Sequence, residues 1–360
     1  MEYIKEVNIN EAIIHILDNN SEEPILNEYK LRLDDEIYKF ILKHVDRCLK
    51  DEELKYAIFN EERNIVKELS QEYLNGQNDL LDVSKELARQ LFILMKGNDN
   101  ISSCDLMIVS ISTEYGPMLA ILKMDYVKNY IHVVDMVEDK IDIDIVPEFT
   151  GLPASAQKIQ KCAFIKPIRE DQEFNLMVID KQKKSKDSEE YGSNYFISKY
   201  LGCKIVENER DATKNFVKAT EKWAKSNLNE NADTSEKWAK SNLNENADTS
   251  EKIIRTVNKL LKEEDTINVK EVSNDIFGEN PDIKLNYEGF ISEQGVKDKV
   301  SIDKEWVDKK FKRIRVKIDK DIDLYIDEES YHDESRFEVK RVGDGSVNIM
   351  IKNVYNYMQK

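Results

Sequence analysis

Side chains able to hold a metal, take a proton or attack a substrate are scattered through this 360-residue chain. The four histidines, His15, His44, His132 and His332, lie far apart. None sits in an HExxH or HxH pair that would aim two imidazoles at one metal ion. His44 falls on the apolar side of a helical pattern and reads as a core or boundary histidine. Cys48, Cys104, Cys162 and Cys203 show no CxxC spacing, which predicts reduced, buried thiols. No GxxxxGK[ST], GxGxxG or GxSxG run is present, and Gly343-Asp344-Gly345 reads as a turn. Asp319, Asp321 and Asp323 have the spacing that opens a calcium loop, but Leu324 stands where that loop needs glycine and Ser330 where it needs glutamate. Asp142 and Asp144 read as the wet face of an edge strand. The residues therefore predict no catalytic set, no metal and no cofactor.

Positive charge is the feature that needs a cause. The chain carries 71 acidic and 54 basic residues, a formal net charge of −17, which opposes long-range attraction to nucleic acid. Yet Lys309–Lys317, KKFKRIRVK, holds six cations and no acid. A second block runs through Lys158, Lys161, Lys166 and Arg169 to Lys181, Lys183, Lys184 and Lys186. Neither interleaves the aromatics on which single-strand binders stack bases. Contacts with DNA would be to phosphate, weakly sequence-selective and steeply salt-dependent. The residues expected to make them are Lys309, Lys310, Lys312, Arg313, Arg315, Lys181, Lys183, Lys184 and Lys186.

A competing reading keeps the charge inside the molecule. From Lys312 the block alternates, so Ile314, Val316 and Ile318 share one side of a strand. Pairing Val316 with Leu324 in a hairpin places Lys317 opposite Asp323, Arg315 opposite Tyr325 and Arg313 opposite Asp327. Lys309, Lys310 and Lys312 precede the hairpin and escape this neutralisation. An acidic surface that docks on basic partners, or imitates the charge of DNA, is the alternative; Asp142, Asp144, Glu22, Glu23 and Asp34–Glu36 would serve it.

The elements that must position these groups predict an α+β fold. Helices are expected at Asn10–Leu17, Asp34–Leu49, Glu61–Leu74 and Leu80–Met95, with an extended piece near Ile25–Leu33. Four strands (Asp105–Ser112, Met118–Asp125, Tyr130–Val137 and Lys140–Val146) predict an antiparallel meander, followed by strands at Lys158–Ile168 and Phe174–Asp180. One sheet with helices on one face is the economical packing. Helices follow at Tyr191–Leu201 and Asp211–Ala224. The helices at Ile253–Leu261 and Val269–Phe277 read as an αα-hairpin rather than a DNA-reading helix-turn-helix, since the second offers Lys270 against Glu271 and Asp275. Hairpins close the chain. The expected division is 1–185, 186–295 and 296–360.

EKWAKSNLNENADTS occurs twice, at Glu221–Ser235 and Glu236–Ser250. Two identical copies point to an in-frame duplication rather than a solenoid. Each copy ends in a capping-box pattern, with Asp233 or Asp248 as N-cap, and one copy is expected to pack its tryptophan while the other loops out.

No apolar run approaches the roughly 20 residues of a membrane span, and MEYIKEVNINEAI lacks the pattern of a secretory signal, so a cytoplasmic protein is expected. Seven segments, in order, resemble the NdpA-type family of bacterial nucleoid-associated proteins: AIFNEERNIV, ILKMDYVKNYIHVVD, QKIQKCAFIK, YFISKYLGC, FVKATEKW, LKEEDTINVKEV and FEVKRVGDGSVNIMIKN. The duplication departs from the family pattern. The resemblance implies a chromosome-associated, cytoplasmic protein without known catalysis. The expected partners are DNA or other nucleoid proteins and no membrane, with a homo-oligomer left open. It supplies no catalytic motif to carry over.

Overall fold

The computed structural model describes residues 2–98, 100–154, 157–181, 195–228, 246–278, 280–318, 321–342 and 346–356. They form two compact units, Glu2–Asn208 and a second from Glu209 onward, and the class is α+β.

In the first unit seven described strands make one antiparallel sheet in the order β1-β3-β4-β7-β8-β2-β9. They are β1 Val7–Leu17, β2 Lys55–Phe59, β3 Cys104–Thr113, β4 Gly116–Asp125, β7 Lys161–Ile165, β8 Leu176–Asp180 and β9 Cys203–Val206. The expected helix at Asn10–Leu17 is therefore strand β1. Ala12, Ile13, Ile16 and Leu17 imitate helical spacing, but Ile13, His15 and Leu17 are buried at period two against β3, with a bulge at Ile9/Glu11. The short strands β2 and β9 were not anticipated.

Helices α1 Asp35–Leu49, α2 Ile65–Leu74 and α3 Leu80–Lys96 cover the sheet. They lie on both faces, not one. Leu87 and Leu91 of α3 share a core with Leu106, Ile108, Ala163 and Ile165. Cys48 of α1 instead meets Cys162, whose side chain points to the other face. The unbroken burial of β3 from Cys104 to Ile111 is the mark of a strand covered on both sides. Only the part of the expected helix at Tyr191–Leu201 from Tyr195 lies among the described residues, and it is a π-helical turn, Tyr195–Leu201. It ends at Gly202 (φ +60°), where a Cβ would lie 2.7 Å from the Asn64 amide that caps α2.

The four-strand meander does not form. β4 pairs with β7, while β5 Val127–Val137 and β6 Lys140–Gly151 make a separate two-stranded ribbon. Its two-residue turn holds Glu138 and Asp139 at φ 49° and 60°.

The second unit runs α4 Glu209–Leu228, α5 Asn246–Glu263, β10 Thr266–Asn268, α6 Val269–Phe277, α7 Pro281–Glu293, β11 Lys299–Ser301 and α8 Lys304–Phe311. Its core gathers Phe216, Trp223, Ile253, Leu261, Phe277, Tyr287 and Val307. The hairpins β12 Arg313–Ile318/β13 Ile322–Asp327 and β14 Phe337–Arg341/β15 Val347–Ile351 follow, joined by α9 Glu328–His332. The first repeat copy finishes α4 and buries Trp223; Trp238 lies outside the described residues. α5 opens at Asn246, so Asp248 falls inside the helix rather than at its N-cap.

Candidate functional site

The strand half of the basic block forms the hairpin read from its alternation. Val316 pairs with Leu324, Lys317 with Asp323, Arg315 with Tyr325 and Arg313 with Asp327. Asp323 is claimed diagonally, by Arg315: the guanidinium donates two hydrogen bonds of 3.1 and 2.9 Å and lies over the Tyr325 ring. That hydrogen bond holds the Asp323 carboxyl below its usual range. Lys309 makes an i,i+4 pair with Glu305 of α8 at 2.6 Å. Lys310, Lys312 and Arg313 are exposed, and among the described residues no carboxylate lies within ion-pair distance of them. Lys309 and Lys310 occupy the last turn of α8, where cations suit the helix dipole.

The described lysines of the second basic block are committed to partners distant in sequence. Lys181 reaches Asp51 at 2.6 Å and Lys158 reaches the same carboxylate at 3.5 Å. Lys166 pairs with Glu2 at 3.0 Å, and Lys161 with Asp180. Burial pushes Asp51 up, but the hydrogen bonds from Lys181 and from the Glu53 amide outweigh it and leave the carboxyl low. Lys183, Lys184 and Lys186 lie outside the described residues. Lys181 is thus mainly an internal counter-ion.

A cationic surface that the linear reading missed lies on α1. Lys39, Lys43, Arg47 and Lys50 are all exposed. At 100° per residue their spacing of four, four and three places them within about 80° of arc. Lys43, Arg47, Lys50 and Lys158 line an open groove of about 730 Å³ with Asp46, Asp51 and Glu52. Lys50 is held by Asp46 at 2.8 Å, whereas Lys39 and Lys43 have no ion pair among the described residues. The helix is capped by Asp34, which accepts from the Glu36 and Ile37 amides, and its other side buries Ile41, Val45 and Cys48. That anchoring leaves the cationic stripe facing solvent.

The remaining titratable groups behave as structure. Buried His15 accepts from the Asn27 amide at Nδ1, so its Nε2–H donates to Ser84 Oγ at 2.9 Å. Burial, then Lys85 and Arg89, lower it to about 4. His44 donates from Nε2 to the Pro153 carbonyl at 3.1 Å, and burial holds it low as well. All four cysteines are free and buried. Among the described residues no three His, Cys, Asp or Glu side chains converge on a metal position, and Asp323 of the calcium-like run is bound to Arg315. Helix α7 follows α6 through a short turn, but it exposes Asp282, Leu285 and Glu293, and Lys284 is bound to Asn274. It offers little to base edges.

Asp105 yields a prediction. Burial raises its carboxyl to about 6, opposed by the hydrogen bond from Tyr126 Oη at 3.2 Å. A raised acid stabilises the fold below its unfolded value near 3.8 and loses that contribution as pH climbs through 6. His15 does the reverse between 6.5 and 4. The two slopes oppose each other, so Asp105→Asn is expected to gain roughly 2–3 kcal/mol at pH 7.5. The gain should vanish near pH 4, exposing the acid loss due to His15. Urea unfolding across that pH range, followed by circular dichroism, measures both.

Among the described residues no helix is long and apolar enough to cross a membrane. The family model described as NA37, nucleoid-associated protein YejK, matches residues 13–359 of this chain. No curated protein matches it.

Proposed function

Because this chain belongs to the nucleoid-associated protein family NA37, we propose that it joins the nucleoid in the cytoplasm by laying local cationic surfaces against DNA phosphates, without a catalytic step. The observation that carries this reading is the α1 stripe, Lys39, Lys43, Arg47 and Lys50, exposed on a helix whose opposite face is fixed in the core. Lys310, Lys312 and Arg313 supply a second set on the other unit, with Lys309 and Arg315 beside them partly neutralised. A net charge of −17 confines binding to such patches and makes it weak at high salt.

The test is binding of the full chain to a duplex of about 30 base pairs at two salt concentrations, about 50 and 200 mM. With some five phosphates engaged, affinity should fall roughly 10²–10³-fold between them. Reversing Lys39, Lys43 and Arg47 to glutamate, or Lys310, Lys312 and Arg313 to glutamate, should lower the log–log salt slope by about 2–3 for each engaged set. Absence of binding at the lower salt would sink direct DNA contact. One observation favours a second reading, docking on a basic chromosomal protein: on the β5–β6 ribbon Asp135 lies directly opposite Asp142, with Asp144 on the same face. Capture of partners that survives nuclease treatment would select it.

A further inference from the structure

Two conditions coincide at Lys43 and at no other lysine of the α1 groove. The groove is lined by three lysines, Lys43, Lys50 and Lys158. Asp46 holds Lys50 at 2.8 Å, and the buried Asp51 carboxylate draws Lys158 to 3.5 Å. Lys43 is exposed, and among the described residues no carboxylate holds its amine. The charge around it is positive. Counting Lys181, which also binds Asp51, five cations meet three carboxylates there, whereas the whole chain carries −17. A cleft of that kind concentrates small anions. Its volume of about 730 Å³ falls within the range of small-ligand clefts, and its open, polar lining suits an anion that is weakly held and exchanges quickly. Arg47 stands one helical turn from Lys43, and a guanidinium fork matches phosphate oxygens.

We propose that Lys43 is an acylation site for small acyl phosphates: the groove gathers the donor's phosphate beside Arg47, and the Lys43 amine takes the acyl group. The reacting form is the neutral amine, whose lone pair attacks the carbonyl carbon. The C–N bond of an amide forms as the C–O bond to phosphate breaks. Inorganic phosphate leaves with the electron pair of that bond, and one amine proton passes to water. No oxidant or reductant enters the balance. The product is an uncharged amide, so the α1 stripe loses one of its four cations. Lys39 supplies an internal comparison. It is exposed on the same helix, also without an ion pair among the described residues, but it does not line the groove.

The consequence for DNA rests on the function proposed above: Lys43→Gln, standing in for the acylated side chain, should lower the log–log salt slope by about 0.9. An unchanged slope would count against α1 as a DNA surface and leave the acylation site standing, because acylation is read without DNA. For that reading the full chain is incubated with acetyl phosphate, and the acetyl groups are located by peptide mapping and mass spectrometry. Lys43 should be acetylated at least about tenfold faster than Lys39, the lower end of what local concentration of an anion provides. With the uncharged donor N-acetoxysuccinimide the two rates should converge, because no phosphate then guides the donor. Arg47→Gln should reduce the preference shown by acetyl phosphate severalfold. Equal labelling of Lys39 and Lys43 by acetyl phosphate overturns the proposal, as does a preference for Lys43 that persists with the uncharged donor.

Discussion

Trp223→Ala should lower the stability of the second unit by about 3–5 kcal/mol, the range for deleting a buried aromatic side chain. Trp223 is only 1% exposed and packs against Phe277 and Tyr287, with centroids 5.2 and 5.3 Å away. Its Nε1–H donates to Asn286 Oδ1 at 2.9 Å, and Tyr287 Oη shares a hydrogen bond with Thr220. One side chain thus ties α4 to both α6 and α7. Alanine would open a cavity in the middle of that contact and leave the Asn286 amide without its donor. Deleting residues 231–245, which removes one repeat length and leaves a single copy, should change stability by less than about 0.5 kcal/mol, the weak dependence of closure entropy on the length of a connection. All three tryptophans of the chain belong to this half, so fluorescence during urea unfolding reports the second unit selectively. Equal losses from the substitution and the deletion would mean that the second copy is structural.

Lys123→Ala should destabilise the first unit by a similar amount, about 3–5 kcal/mol, through loss of a buried charged partner. The Lys123 side chain is 1% exposed in β4, an interior strand of the sheet. Its ammonium pairs with Asp125 and donates to the Ser102 carbonyl at 3.1 Å and hydroxyl at 3.2 Å. Register places Lys161 of β7 directly opposite. Two like charges so placed would repel, and they coexist because Lys161 has its own carboxylate, Asp180. Lys123→Met retains the stem and should lose only about 2–3 kcal/mol, since the Asp125 side chain, 22% exposed, can rehydrate. Adding Asp125→Asn should recover part of that loss. A methionine variant as stable as the parent in urea, followed by far-ultraviolet circular dichroism, would show that packing of the stem outweighs the ion pair.

Local patterns were the legible part of this fold. Period two in Arg313–Ile318 sufficed to set the β12–β13 register residue by residue, because hydrophobic sidedness and a short turn leave one pairing. The helices at 35–49 and 80–96 announced themselves through apolar spacing, and the structure adds Asp34 and Asp79 as their caps. Long-range pairings were not legible. Asp51 and Glu2 neutralise lysines 107 to 164 residues away, so Lys158, Lys166 and Lys181 read as free cations only in one dimension. The α1 stripe failed in the opposite sense: Asp35, Glu36 and Asp46 dilute its charge along the sequence, and the cations align only once the helix is wound. Strand β1 imitated a helix because short apolar runs satisfy both periods, and its neighbour β3 decides the matter.

The junction between α4 and α5 has a practical side. Fifteen extra residues enter there while Trp223 keeps its place among Phe277 and Tyr287. The two helices share a core through Phe216, Trp223, Ile253 and Leu261. Such a junction is a natural port for foreign sequence. An affinity handle, a small reporter domain or a new pair of chain termini could be introduced at this point without altering the sequence of α1, α8 or the β5–β6 ribbon.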